Sequence, residues 1–157
     1  MPYSYEPHAF EDYEVGQTFV TPGRTITETD VVNHSMVTGD WTEFHTNEPF
    51  ATESQFGERI AHGPLTFSLG IGLMLRSGFL ERTSAGMVEV TEMSFLNPVF
   101  LDDTIHCEFE VLDVHDISRD DIGIIDLAMD VIVDDDESAL ECILTLMIRR
   151  RSDLDWD

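Results

Sequence analysis

Asp40 and His45 stand five residues apart in the segment Thr38 to Ala51, TGDWTEFHTNEPFA, with Gly39 ahead of the pair and Pro49 behind it. The stretch is too polar and too interrupted to be core. A carboxylate and an imidazole are the parts of general acid–base chemistry, because an imidazole changes charge near neutral pH and a neighbouring carboxylate can orient the group it works on. Each residue alone has a plainer reading. An aspartate after a glycine at a helix end commonly closes a turn, and a single histidine is as readily structural.

The surrounding pattern shows what must position the pair. TETDVVNHSMVTG predicts a short helix capped by Thr27, with Asp30 three residues on and Gly39 as its stop. A second short helix is expected near Asn47-Glu48-Pro49, since proline suits a first helical turn. Ahead of both, QTFVTPGRTIT reads as a strand or hairpin turning at Pro22-Gly23. The longest apolar segment, HGPLTFSLGIGLMLRSGFLER, predicts a helix from Pro64 to Leu80, apolar on nearly every side and so deeply buried. Its Gly70 and Gly72 would let another backbone approach closely. After Ser84 the texture changes to alternation, and four segments read as long strands joined by acidic turns. One buried helix followed by four antiparallel strands is an α+β layer architecture.

With 157 residues the chain fits one domain, with residues 1–12 and 152–157 as peripheral tails. Thirty-two acidic residues oppose eight basic ones, all arginine, for a net charge of −24. Such a balance strains a compact fold by self-repulsion in dilute buffer, whereas in molar salt the screening length falls to about 3 Å. The acidic residues are spread along the chain, which points to a salt-rich cytoplasm rather than an acidic interaction tail. Nucleic acid is disfavoured as a partner by the same charge. No membrane span or secretory leader is expected, which predicts a cytoplasmic protein. Cys107 and Cys142 lie in apolar strand-like segments and read as buried free thiols.

These residues together resemble the MaoC-like dehydratases, the family that includes the R-specific enoyl-CoA hydratases of the hotdog fold. FEDYEVGQTF resembles the family's opening strand and TGDWTEFHTNEPFA its active-site loop. FGERIAHGPL resembles its glycine-bearing helix entrance and MSFLNPVFLDDTI its following hairpin. The spacing agrees as well, with eighteen residues from His45 to Gly63. Two positions depart from the pattern. Thr42 and Glu43 stand where Asn-Pro is common, and Asp102 stands where a glycine is expected before Asp103.

The resemblance implies a curved antiparallel sheet wrapped around a long central helix. It assigns Asp40 and His45 to an attacking water and the Gly63 N–H to the thioester carbonyl, a role suited to an unsatisfied donor at a helix start. The expected reaction is R-specific hydration of a trans-2-enoyl-CoA, with no cofactor. It also implies a homodimer, or a dimer of dimers, with the acyl-CoA thioester at the subunit interface. A hotdog acyl-CoA thioesterase and a non-catalytic acyl-CoA-binding domain are the rival readings. Around the core set, His62 reads as a structural histidine beside the helix start or a substrate contact, and Asn47 as a helix cap or a substrate contact. Arg59 and the run Arg149-Arg150-Arg151 are candidate partners for coenzyme A phosphates. Asp40, His45 and His62 form no recognised metal motif, and the glycines of LGIGLMLRSG have the wrong spacing for a dinucleotide site.

Overall fold

The computed structural model describes residues 4–134 and 137–154. Its centre is α4, Gly63–Arg76, which packs on strands β4, Thr104–His115, β5, Ile122–Val133, and β6, Glu137–Arg149. The expected helix is there but ends four residues early, at a break around Ser77 and Gly78, where φ is +98°. Phe79 and Leu80 then turn into the core as irregular chain. Leu65, Leu73 and Met74 form the buried face of α4, while Leu75 is half exposed, so the helix is covered on one side rather than all round. What approaches Gly70 closely is not backbone but the side chains of Cys107, Met129 and Val131 of the sheet, and nothing approaches Gly72.

The four long strands form where alternation places them, with β3 covering Ser84–Phe95. Their pairing differs from a simple meander. From β1, Thr18–Val20, the sheet order is β1-β4-β5-β6-β3, so β3 lies beside β6 and not beside β4. MSFLNPVFLDDTI is therefore not a hairpin. Its middle is captured instead by the chain leading into α4: Ala61 N–H donates to the Val99 carbonyl at 2.7 Å, and Ile60 bridges Phe100. Likewise β1, Thr18–Val20, and β2, Arg24–Thr25, do not pair with each other; both add to β4, with Pro22-Gly23 as the break between them.

Helix α1, Glu28–Thr38, carries the expected capping box: Asp30 N–H donates to Thr27 Oγ1, and Thr27 N–H to the Asp30 carboxylate. Gly39 ends it in the left-handed region at φ +80°. A four-residue helix that periodicity does not reveal, α2, Glu43–Thr46, precedes α3, Glu48–Glu53. Residues 4–12 are not peripheral, since Ala9 and Phe10 are buried and Tyr5 packs edge-on against Phe19 and Phe79. At the other end, residues 155–157 of the expected tail lie outside the described residues. Cys107 and Cys142 are buried free thiols. Among the described residues no helix is long and apolar enough to cross a membrane.

Candidate active site

Asp40 follows directly on the cap of α1, so the helix stop that Gly39 enforces also aims the carboxylate. Its Oδ1 accepts from Thr42 N–H at 3.1 Å and from Thr42 Oγ1 at 2.5 Å. The Thr42 hydroxyl, and after it the Thr42 amide, hold the Asp40 carboxyl below the usual carboxylate range. The residue that replaces the family's common asparagine thus grips the carboxylate directly. Glu43, the other departure, accepts from Asn47 Nδ2 at 2.8 Å.

His45 lies on α2, and its Nδ1 is 2.7 Å from the Ile60 carbonyl. A carbonyl only accepts, so Nδ1 carries a proton, and in the neutral ring Nε2 is the nitrogen with the lone pair. Ile60 is fixed in turn, because its own N–H donates to the Phe44 carbonyl. The imidazole is thereby held in the tautomer that can accept a proton.

His62 is 1% exposed, and its Nε2 lies 3.1 Å from the Asp40 carbonyl and 3.2 Å from Ser35 Oγ. The carbonyl again requires N–H at Nε2, which leaves Nδ1 as a buried acceptor without a partner among the described residues. Burial pushes the His62 imidazole below its ordinary pKa, so it is the neutral form that packs here. Ligand-type atoms of Asp40, His45 and His62 all lie within 4.8 Å of one another. One nitrogen of each ring is committed to a carbonyl, which limits what the trio can offer a metal.

Gly63 follows His62 as the first residue of α4, where its N–H has no intrahelical acceptor. Pro64 behind it has no N–H, and no acidic side chain occupies the first turn to compete for the positive end of the helix. The chain thus brings Asp40, His45, His62 and Gly63 to one place.

The outer candidates are arranged differently. Asn47 caps α3, its side-chain oxygen accepting from Phe50 N–H. Arg59 binds Glu28 of α1 and Glu48 of α3 and reaches the His45 carbonyl, so its guanidinium ties together the elements that frame the site. Arg149 pairs with Asp153, Arg150 with Asp116 and Glu11, and Arg151 with Asp12. This run is also remote: Phe95, which touches Gly63, pairs with Leu140, and Arg149 lies nine residues further along β6. At about 3.3 Å per residue that is about 30 Å. A groove of about 580 Å³ has Glu92, Glu108, Glu110, Asp130 and Glu141 in its lining and contains none of the site residues. An apolar groove of about 410 Å³ includes Gly63.

This architecture coincides with that of a known family. Residues 11–130 match the MaoC like domain model, and the chain belongs to the MaoC-like dehydratases, with the hotdog fold. It is 36% identical over 96 residues to Protein MaoC of Klebsiella aerogenes, covering 61% of this chain and 28% of that one. It is 35% identical over 106 residues to 3-hydroxybutyryl-CoA dehydratase of Methylorubrum extorquens, covering 67% of this chain and 64% of that one. The chain therefore spans less than two thirds of the length of either relative. Among solved structures, the unliganded R-hydratase PhaJ1 of Pseudomonas aeruginosa superposes with a TM-score of 0.76 at 25% identity, covering 91% of this chain and 86% of that one.

Proposed function

We propose that this protein catalyses the reversible syn hydration of a trans-2-enoyl-CoA to the (3R)-3-hydroxyacyl-CoA. The observation that carries the reading is the 2.7 Å contact of His45 Nδ1 with the Ile60 carbonyl. With Nδ1–H donated there, the neutral ring would present Nε2 as its base beside an ionised Asp40. A water held by Asp40 would give its proton to His45 Nε2 as its oxygen attacks C3. The charge that moves onto the thioester oxygen would meet the Gly63 N–H at the positive end of α4. Return of the proton to C2 on the same face completes the addition and restores the neutral imidazole. His62 and Arg59 would then act by holding the loop, and Asn47 by capping the helix beside it. The activity named for the Methylorubrum dehydratase and for the Pseudomonas R-hydratase supports this choice of reaction.

A homodimer fits the open edge of the sheet. Among the described residues strand β3 pairs only with β6, none of its residues is buried, and Met87, Val88, Met93 and Phe95 are exposed along it. Edge strands of this length and apolarity are normally covered. The net charge of −24 supports a salt-rich cytoplasm as the working medium.

The deciding experiment follows the conjugated-thioester absorbance of crotonyl-CoA in molar potassium chloride, with chiral analysis of the product. Loss of absorbance with a 3R product is expected. Release of free thiol without hydration would replace this reading with a thioesterase, and binding without either change would replace it with a non-catalytic acyl-CoA module.

A further inference from the structure

The apolar groove at the start of α4 has Gly63 in its lining, with Ile60, Val99, Leu96 and Phe95 among its walls. Its volume, about 410 Å³, is that of a small-molecule site, and among the described residues no charged side chain lines it. Phe95 is the last residue of β3 and is 57% exposed, yet its ring lies against Gly63. A Cβ added to Gly63 would stand 2.6 Å from Phe95 Cε1 and 2.8 Å from Cδ1. The space beside the helix-start amide is thus bounded by an aromatic ring on a strand end, not by fixed backbone.

We propose that this groove takes an uncharged acyl chain, and that Phe95 is the specificity-determining residue, limiting how much bulk the acyl group can carry next to its carbonyl. The inference rests on the hydratase reading for placing that carbonyl at Gly63. Three considerations lead to it. A methylene chain gains from leaving water for these walls. An acyl carboxylate would lose its hydration and find no cation among the lining residues. A substituent on the carbon adjoining the carbonyl would lie beside the Phe95 ring, which already stands against Gly63.

The test compares kcat/KM for crotonyl-CoA, a 2-methyl-branched enoyl-CoA and an enoyl-CoA ending in a carboxylate, in wild type, Phe95→Ala and Phe95→Leu. Wild type should favour crotonyl-CoA over both others by at least about tenfold. Removing the ring should raise the branched-to-crotonyl ratio at least about fivefold and leave the carboxylated-to-crotonyl ratio unchanged. The leucine variant keeps an apolar side chain at the strand end and serves if the alanine variant does not fold. Calorimetric binding of butyryl-, 2-methylbutyryl- and succinyl-CoA, which cannot be hydrated, runs in parallel. If no enoyl-CoA is turned over, the hydratase reading fails while the binding order still decides the role of Phe95. Equal ratios in wild type and both variants, or carboxylated ligands accepted as well as apolar ones, would overturn the proposal.

Discussion

The rings of His45 and His62 are stacked, with centroids 3.8 Å apart and planes inclined by 29°. One ring is the proposed base. The other joins Ser35 of α1 to the backbone of Asp40 and immediately precedes Gly63. A single buried imidazole thus connects every member of the site.

That imidazole should make the fold acid-sensitive. Its folded pKa is depressed by burial below the ordinary 6.5, so the unfolded chain binds the proton more readily. The stability it contributes is complete above about pH 6.5 and is lost as pH falls towards the lower folded value. His115 acts in the opposite sense, since its hydrogen bond to Asp126 raises its pKa and its contribution is present at low pH and lost as pH rises. Melting temperatures measured between pH 7.5 and 5 at constant salt should fall, and His62→Gln should flatten the decline.

Asp40→Asn and His45→Ala should each lower kcat/KM by about 100-fold or more, the usual scale for a positioned acid or base. The Asp40 side chain hydrogen-bonds only to Thr42 among the described residues, so Asp40→Asn should keep the wild-type circular dichroism and melting temperature. Enone kinetics and thermal melts on the same preparations make the comparison.

Gly63→Ala should cost both activity and stability, because the new methyl meets the Phe95 ring. The two effects can be separated in a double-mutant cycle. Combining Gly63→Ala with Phe95→Ala should recover much of the stability in denaturant titrations, showing coupling between residues in contact.

Asp102 has φ +72° in the turn before β4, a conformation that suits glycine better than a residue with a side chain. Asp102→Gly should stabilise the fold by about 0.5–1 kcal/mol, and Asp102→Ala should not. Denaturant midpoints in molar salt would measure the difference.

Much of this site was legible from residue order. The Thr27–Asp30 box, the Gly39 stop and the Asn47 cap rest on local hydrogen bonds, which spacing reports directly. The long strands were legible from alternation, even though no residue of β3 is buried. What spacing does not report is which strands become neighbours: the placement of β3 beside β6 is set by long-range pairing and by the capture of Val99 and Phe100 ahead of α4. The grip of Thr42 on Asp40 and the contact of Phe95 with Gly63 were missed for different reasons. The first had a signal, a hydroxyl two residues from a carboxylate. The second joins residues 32 positions apart and had none. Arg59 drew notice as a scarce cation, and its scarcity says nothing of whether a carboxylate already holds it.

The clasp of Arg59 on Glu28 and Glu48 has a consequence for how an anionic nucleotide arrives. The guanidinium bordering the site is already matched by two carboxylates and projects little attraction outward, while the molecule as a whole repels negative charge. On the proposed reading, diffusional encounter with a coenzyme A thioester should quicken as electrolyte is added, the reverse of the usual behaviour of steered association, with dissolved cations screening the phosphates.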